Sequence, residues 1–406
     1  MTAPLVTAMV STYASERFLR GCLDDLLAQT LGDRLEIVVI DAASPEREGE
    51  LVRAYQGQHA NVRYLRTEAR VSTSQAFNLA AAMANGRYLT TANTDDRHHP
   101  EFAARLAAVL EQCPQFGLAY ADAAVGTVPN EAWSETTATQ RFAWPDYTPA
   151  TALSCCLFGA QPMWRADLHA AVGGWSDAFA IANDHDYFGR LARRAGAVHV
   201  GDVLGLFLQR PDSNAGSGRR EAVLAEQCAV MKMHRREWRL DEVVPGANSN
   251  GAFAKAAAWF ELGNLCALGP YTDAAAALDC YRVALAGPLE RTEQRLVQAA
   301  FANNSGCILL AAGERGAAAR SFAACAPGPM RDHNAAWLQR DHRPPLRELR
   351  FVELDHAIVR AARTTASVTV DDVGRVQWGA AREQKPWDVF EGPNGVPWAR
   401  ATAAAT

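Results

Sequence analysis

Apolar residues in the first 120 positions fall into short continuous runs separated by stretches with helical spacing. Leu5–Ser11 (LVTAMVS) reads as a strand, and Arg17–Gln29 as a helix with Phe18, Leu19, Cys22, Leu23, Leu26 and Leu27 on one face. Leu35–Ile40 (LEIVVI) is an unbroken apolar strand stopping at Asp41, the pattern of a parallel strand covered on both faces. The alternation continues with a helix over Pro45–Gln56, a strand at Val62–Leu65, an Ala-rich helix over Ser72–Ala84 and a strand at Arg87–Ala92. A helix over Pro100–Gln112 and a strand at Gly117–Tyr120 follow. Strand and helix alternating at short spacing predict an α/β fold with a mostly parallel, doubly wound sheet.

From Asp122 to Thr151 the sequence turns polar and Pro-containing, the length of an active-site excursion. Apolar pattern returns in Ala152–Phe158, Arg165–Val172 and Ala182–Arg194, and Val203–Leu208 is the last clear strand. Pro211–Gly218 (PDSNAGSG) reads as a flexible loop or boundary, followed by a helix over Arg220–Arg236 and a break at Val244–Gly251. Beyond Gly251 the chain becomes Ala-rich and helical, with a weak internal repeat. Gly263, Ala277, Tyr281 and Ala284 correspond to Gly306, Ala318, Phe322 and Cys325, apart from one short insertion. With Trp259, Leu262 and Gly263 in front, this resembles the tetratricopeptide helix pair, the alternative being an ordinary Ala-rich hairpin. Two copies are fewer than the roughly three expected of a self-standing array, so they need cover from the first domain, the tail or a second subunit. A homodimer through the C-terminal helices is the expected cover, since a two-fold axis lets one patch satisfy itself. The tail is expected to hold a helix over Glu348–Arg363 and a Val-Thr-Val segment at Val368–Val370, and its Trp- and Pro-containing end has no assigned structure. The expected organisation is a first domain over 1–219, a helical linker over 220–250, a helical domain over 251–330 and a tail over 331–406.

Composition narrows the class. Lys and Arg number 40 against 45 Asp and Glu, a net charge of −5, which lacks the footprint of a nucleic-acid binder. No apolar run reaches the roughly 20 residues of a membrane span. The first ten residues have no basic stretch, so no signal peptide is expected. Nine cysteines without CxxC pairs fit reduced thiols and a cytoplasmic location. Cys155 and Cys156 read as small core residues on a strand.

The candidate chemistry begins in YLTTANTDDRHHP, where a strand runs straight into Asn93-Thr94-Asp95-Asp96. In an open parallel sheet, ligands bind at the carboxyl ends of strands. Adjacent carboxylates there repel unless a cation offsets them, and Mn2+ or Mg2+ prefers oxygen ligands. Simple capping of the next helix by Asp96 is the competing reading. Asp184, in ANDHDYF, can serve as a general base at a helix start facing a cleft, or merely cap that helix. His98, His99 and His185 lack paired metal-ligand spacing. Ser11-Thr12-Tyr13 and Asp41 end the first two strands and can hold a base and a ribose.

These segments, VSTYASERFLRGCLDDLLAQT, LEIVVIDAAS, GRYLTTANTDD, GAQPMWRADLHAAVGGWSDAF and ANDHDYFGRLARRAG, resemble in order and spacing the family 2 inverting glycosyltransferases of GT-A fold over about residues 4–215. The resemblance implies that the acidic metal motif falls on Asn93–Asp96, with Asp95 and Asp96 at the metal. It implies that Asp184 is the catalytic base and that Thr12, Tyr13, Asp41, Asn93 and Asp95 touch the nucleotide-sugar. The acceptor side is implied at Trp164, Trp175 and His185. Three departures stand out: Asn93 replaces the first Asp of the metal motif, Asp41-Ala42-Ala43-Ser44 replaces Asp-Asp-Gly-Ser, and Gln209-Arg210 stand where a late His often completes the metal shell. Arg210 can replace part of the cation's charge. The Gln-x-x-Arg-Trp motif of processive synthases is absent.

The function so implied is non-processive, metal-assisted transfer of a hexosyl or N-acetylhexosaminyl group from a nucleotide-diphosphate donor, a UDP-sugar by family precedent. The acceptor is a hydroxyl on a carbohydrate, lipid-linked or protein molecule of bacterial-type glycan biosynthesis. Two rivals remain. A sugar-phosphate nucleotidyltransferase needs a Gly-rich basic loop after the first strand, and Ser11–Ser15 has neither Gly nor Lys. A non-catalytic scaffold with a degenerate transferase domain is the rival of another class.

Overall fold

The computed structural model describes residues 3–159, 161–210, 219–388 and 400–403. Strands β1 (Val6–Thr12), β2 (Leu35–Asp41), β3 (Val62–Arg66) and β4 (Tyr88–Thr91) are mutually parallel in the order β3–β2–β1–β4. Helices α1 (Glu16–Leu27), α2 (Glu48–Gln56) and α3 (Thr73–Met83) connect them. Every residue of β2 is buried, as its unbroken apolar run requires. The apolar face of α1 turns Phe18, Leu19, Cys22, Leu23 and Leu26 inward. Ser72 starts α3 with a reciprocal capping box to Gln75. Thr12 lies opposite Asp41 and Met9 opposite Thr91, so the carboxyl ends of β1, β2 and β4 open on one edge.

The rest of the sheet comes from β5 (Arg97–His98), β6 (Leu118–Gly126), β7 (Gln140–Ala143), β8 (Met163–Arg165) and β9 (Ala197–Leu208), with α4 (Phe102–Gln112), α5 (Pro149–Ala152), α6 (Ala166–Val172) and α7 (Asn183–Ala195) between them. β8 inserts between β4 and β6 antiparallel to both, whereas β9 is parallel to β6. The sheet is therefore mixed, not parallel throughout. Three residues are too few to display a period, and β8 is reached from an excursion without one. That excursion also holds β7, paired antiparallel to β6. Cys155 and Cys156 are not on a strand. They lie in the irregular segment after α5, where Gly159 (φ +64) turns the chain against Trp144, and burial there comes from threading, not ladder pairing. The loop expected over Pro211–Gly218 lies outside the described residues.

Helices α8 (Arg220–Glu237) and α9 (Leu240–Val243) lead to α10 (Ala252–Leu268), α11 (Ala274–Leu285), α12 (Arg291–Ala312), α13 (Arg315–Ala323) and α14 (Pro329–Ala336). The repeated small-and-aromatic pattern has one physical job in both copies. A Cβ on Gly263 would stand 2.3 Å from the Tyr281 ring, and one on Gly306 2.6 Å from the Phe322 ring. The helical region packs within the chain: Ala150 and Leu153 of the excursion join its core, and Tyr271 joins the core of the sheet.

The tail differs from the expected helix over Glu348–Arg363, because only α15 (Ala357–Arg363) forms. The preceding residues are extended along a row of asparagines. Val352 N–H donates to Asn304 Oδ1 (2.7 Å) and its carbonyl accepts from Asn304 Nδ2 (3.0 Å) and Asn264 Nδ2 (3.1 Å). Arg350 N–H donates to Asn334 Oδ1 (2.8 Å), and its carbonyl accepts from Asn334 Nδ2 (2.8 Å) and Asn303 Nδ2 (2.9 Å). These amides give the backbone partners that a helix would otherwise supply. Beyond α15, β10 (Thr364–Thr365) pairs with β13 (Arg382–Glu383), β11 (Val368–Val370) lies parallel to β9, and β12 (Val376–Trp378) antiparallel to β11. β14 (Arg400–Ala403) pairs with β7. The full order is β12–β11–β9–β6–β8–β4–β1–β2–β3. Among the described residues no helix is long and apolar enough to cross a membrane.

Candidate active site

The carboxyl ends of β1 and β4 and the start of α7 face one cleft of about 630 Å³. Ser11, Tyr13, Arg17 and Phe18 line it from the β1 side, Asn93–Asp96 from the β4 side, and Asn183 and Asp184 from α7. The loop after β1 is held in a strained shape, with Ala14 at φ 50, its N–H bonded to Ser44 Oγ (2.9 Å). Ala43, standing where the resembling family has Gly, is also left-handed at φ 56. Arg70 lies over the Tyr13 ring at 4.1 Å, and Arg210 over the Phe18 ring at 5.0 Å.

Asp95 and Asp96 are adjacent in sequence but differently committed. Arg210 donates through Nε (3.1 Å) and Nη2 (3.0 Å) to Asp95 Oδ2. Asp96 is buried, its Oδ1 accepting from Leu208 N–H (3.1 Å) and Oδ2 from Asn93 Nδ2 (3.0 Å). Burial, and then the neighbouring Asp95 charge, push its pKa up to about 7. Asp96 thus ties the end of β4 to β9, with both oxygens taken, and the expected pair of metal ligands is unequal. Asp95 keeps an oxygen outside the Arg210 pairing and fits a divalent cation as a single-carboxylate ligand, with phosphate oxygens and water as the remainder. Among the described residues no group of three or more His, Cys, Asp or Glu side chains is arranged to hold a metal.

Asp184 sits in the first turn of α7, its Oδ1 accepting from His185 N–H (2.7 Å). Burial raises its pKa to about 6 against that hydrogen bond. The α7 start is held from outside: Glu226 Oε2 accepts from Ile181 N–H (2.7 Å) and Ala182 N–H (2.9 Å), and Asn183 Nδ2 donates to Ser74 Oγ (2.9 Å).

Several expected site residues lie elsewhere. Thr12 is buried, its hydroxyl donating to Glu48 Oε1 (3.4 Å). Asp41 is buried and accepts from Ser44 N–H (2.7 Å), Tyr64 OH (2.7 Å) and Arg66 Nη1 (2.6 Å). Neither lines the cleft; both shape the loops that do. Trp164 has no exposed surface, packing 5.6 Å from Trp175, and it is Trp175 that reaches the wall. His185 turns away from the cleft, its Nδ1 against Gln227 Oε1, and burial lowers its pKa to about 3. The sequence reading missed Arg70, Gln227 and Tyr271, all on the cleft wall. No local spacing marks them, since each arrives from a different element.

Residues 7–152 match the model of the glycosyl transferase family 2. The chain is 34% identical over 109 residues to uncharacterized glycosyltransferase EpsJ of Bacillus subtilis, 27% of this chain and 31% of that protein. It is 32% identical over 92 residues to glycosyltransferase GlyG of Streptococcus pneumoniae, 23% of this chain and 30% of that protein. The chain thus spans about a third of the length of these curated relatives. A crystal structure of S. aureus TarS 1–349 in complex with UDP-GlcNAc is similar at a TM-score of 0.49 and 14% identity, covering 98% of this chain and 99% of that one. The segment that matches the family model contributes β1, β2, β4 and the Asn93–Asp96 turn.

Proposed function

We propose that this chain transfers a sugar, with inversion, from a nucleotide-diphosphate donor to an acceptor hydroxyl. The carrying observation is that Asp184 and Asp95, far apart in sequence, line one cleft with Tyr13 and three arginines. Asp184 takes the proton from the acceptor hydroxyl as that oxygen bonds to the anomeric carbon. The bond from that carbon to the diphosphate oxygen breaks, and the diphosphate leaves with the electron pair. A base whose pKa is raised to about 6 is mostly ionised at neutral pH yet basic enough to accept a proton. The transition state has oxocarbenium character, as in glycoside hydrolysis. Arg17, Arg70 and Arg210 place positive charge where the diphosphate charge grows. A Mn2+ or Mg2+ ion held by Asp95 would supply further charge neutralisation there. The aromatic Tyr13 offers a face for the base, and UDP is the proposed nucleotide. The helix pairs α10–α11 and α12–α13 are proposed as a tetratricopeptide-type repeat, supported by the matched Gly263–Tyr281 and Gly306–Phe322 contacts.

The test is release of nucleoside diphosphate across UDP-, GDP- and dTDP-sugars with a broad acceptor mixture and Mn2+ or Mg2+. One donor is expected to be consumed. Release from none of them, with no UDP binding by calorimetry, would leave a scaffold as the better account.

A further inference from the structure

We propose that Tyr271 is an acceptor-positioning residue, its hydroxyl holding a neutral sugar acceptor beside Asp184. The inference rests on the transferase reading and says which part of the chain selects the acceptor. Tyr271 stands in the connection between α10 and α11, far outside the family 2 segment, yet it lines the catalytic cleft. It is only 4% exposed and packs in the core of the sheet, not that of the helices. Two bonds from Arg235 fix its place: Nη1 donates to the Tyr271 carbonyl (2.8 Å) and Nε to the Leu153 carbonyl (3.1 Å). Among the described residues the phenol hydroxyl has no hydrogen-bond partner, and it is not one of the polar atoms sealed from solvent, so it is open to the cleft that Tyr271 lines. A ligand hydroxyl in the cleft would supply that partner. Burial first, and then nearby groups including Asp184, push the phenol's pKa up, so it stays a donor while Asp184 accepts.

Charge in the cleft is segregated, and this points to the kind of acceptor. Arg70 and Arg210 gather with Tyr13, Phe18 and Asp95. Asp184 instead acts on Cys156 and Tyr271, while Gln227 and the Trp175 ring complete neutral wall. Aromatic faces and neutral donors suit a sugar ring with free hydroxyls, and among the described residues this wall has no cation to meet a phosphorylated acceptor.

The experiment uses the full chain with UDP bound. Saturation-transfer NMR with methyl hexosides measures acceptor contact without turnover, and steady-state kinetics with the best hexoside follow. Tyr271→Phe is expected to raise the acceptor KM about three- to tenfold, the worth of one neutral hydrogen bond, while the Kd for UDP, read separately by calorimetry, stays within twofold. Tyr271→Ala is expected to raise it further. Absence of UDP binding in the wild type overturns the transferase reading itself. UDP binding without hexoside contact, or an acceptor KM unchanged in Tyr271→Phe, overturns the assignment of Tyr271 alone. Turnover only with phosphorylated acceptors overturns the neutral-sugar part. A Tyr271→Phe variant that loses UDP affinity together with acceptor affinity assigns the residue to packing and overturns the proposal.

Discussion

At the residue scale, Asp184→Asn isolates proton transfer, because the amide keeps the shape and cannot accept the proton. Turnover is expected to fall by about 10²–10⁴, with UDP affinity by calorimetry within twofold. The wild-type rate should also decline as pH drops through about 6, where Asp184 becomes protonated, and hold above it. A rate flat down to pH 5 removes Asp184 from the role of base. Asp95→Ala acts on the donor instead. It deletes the carboxylate that pairs with Arg210 and is proposed to meet the cation, so UDP binding with Mn2+ present should weaken about ten- to hundredfold. Unchanged affinity would make Asp95 a partner of Arg210 and nothing more. The two acids are legible in the sequence because a polar group ending an apolar run, or opening a helix, marks a sheet's ligand-binding edge. Tyr271 and Arg70 carry no such mark, and Asp41 carries a misleading one: it ends a strand at the right edge but is consumed by Ser44, Tyr64 and Arg66.

At the element scale, periodicity finds what is long and buried. β1, β2, α1, α3 and α4 stand close to where apolar spacing puts them, because each commits one face or both to the core. β8 and β11 are three residues each, and their place depends on which neighbour has an open edge, which local sequence does not encode. The extended tail before α15 is the same kind of case, since its conformation is dictated by asparagines on three other helices. Asn304→Ala should test that grip. It leaves the half-buried Val352 N–H without its partner, a cost of about 1 kcal/mol. The melting temperature should fall, while UDP affinity stays within twofold because neither residue is part of the cleft. An unchanged melting temperature would mean the asparagine row is incidental. Gly263→Ala is the companion: its Cβ meets the Tyr281 ring at 2.3 Å, and overpacking of this kind costs about 1–3 kcal/mol.

At the scale of the whole molecule, one buried ionic cluster ties together segments that are remote in sequence. His199 on β9 has Nδ1 against Asp146 Oδ1 (2.7 Å) and Nε2 against Asp122 Oδ1 (2.9 Å). Asp146 also accepts from Arg382 of the tail through Nε (2.9 Å), and its backbone carbonyl accepts from Gln384 Nε2 (3.1 Å). Tyr120 stacks on the imidazole at 5.1 Å. The sheet, the excursion after β6 and the tail therefore meet on one imidazole. Burial works against its charged form, but the bonds and charges of Asp122 and Asp146 outweigh burial and hold its pKa above the ordinary 6.5. A folded pKa above the unfolded one stabilises fully below about 6.5, and that contribution is lost as pH rises through the folded value. Asp146 has the opposite sign: its pKa is lowered below 3.8, so its contribution is present above that value and lost in acid. His199→Gln removes the positive charge between two buried carboxylates and leaves Asp146 with Arg382 and Asp122 with the Trp144 N–H, so the loss is expected at or below the about 3–5 kcal/mol of breaking a buried pair. Thermal melts of wild type and variant from pH 5 to 9 should show the wild-type advantage largest near pH 5–6.5 and shrinking on the alkaline side. A wild-type advantage that stays constant, or grows, with rising pH would mean that His199 is neutral in the folded protein and that the Arg382–Asp146 pair holds the tail without it.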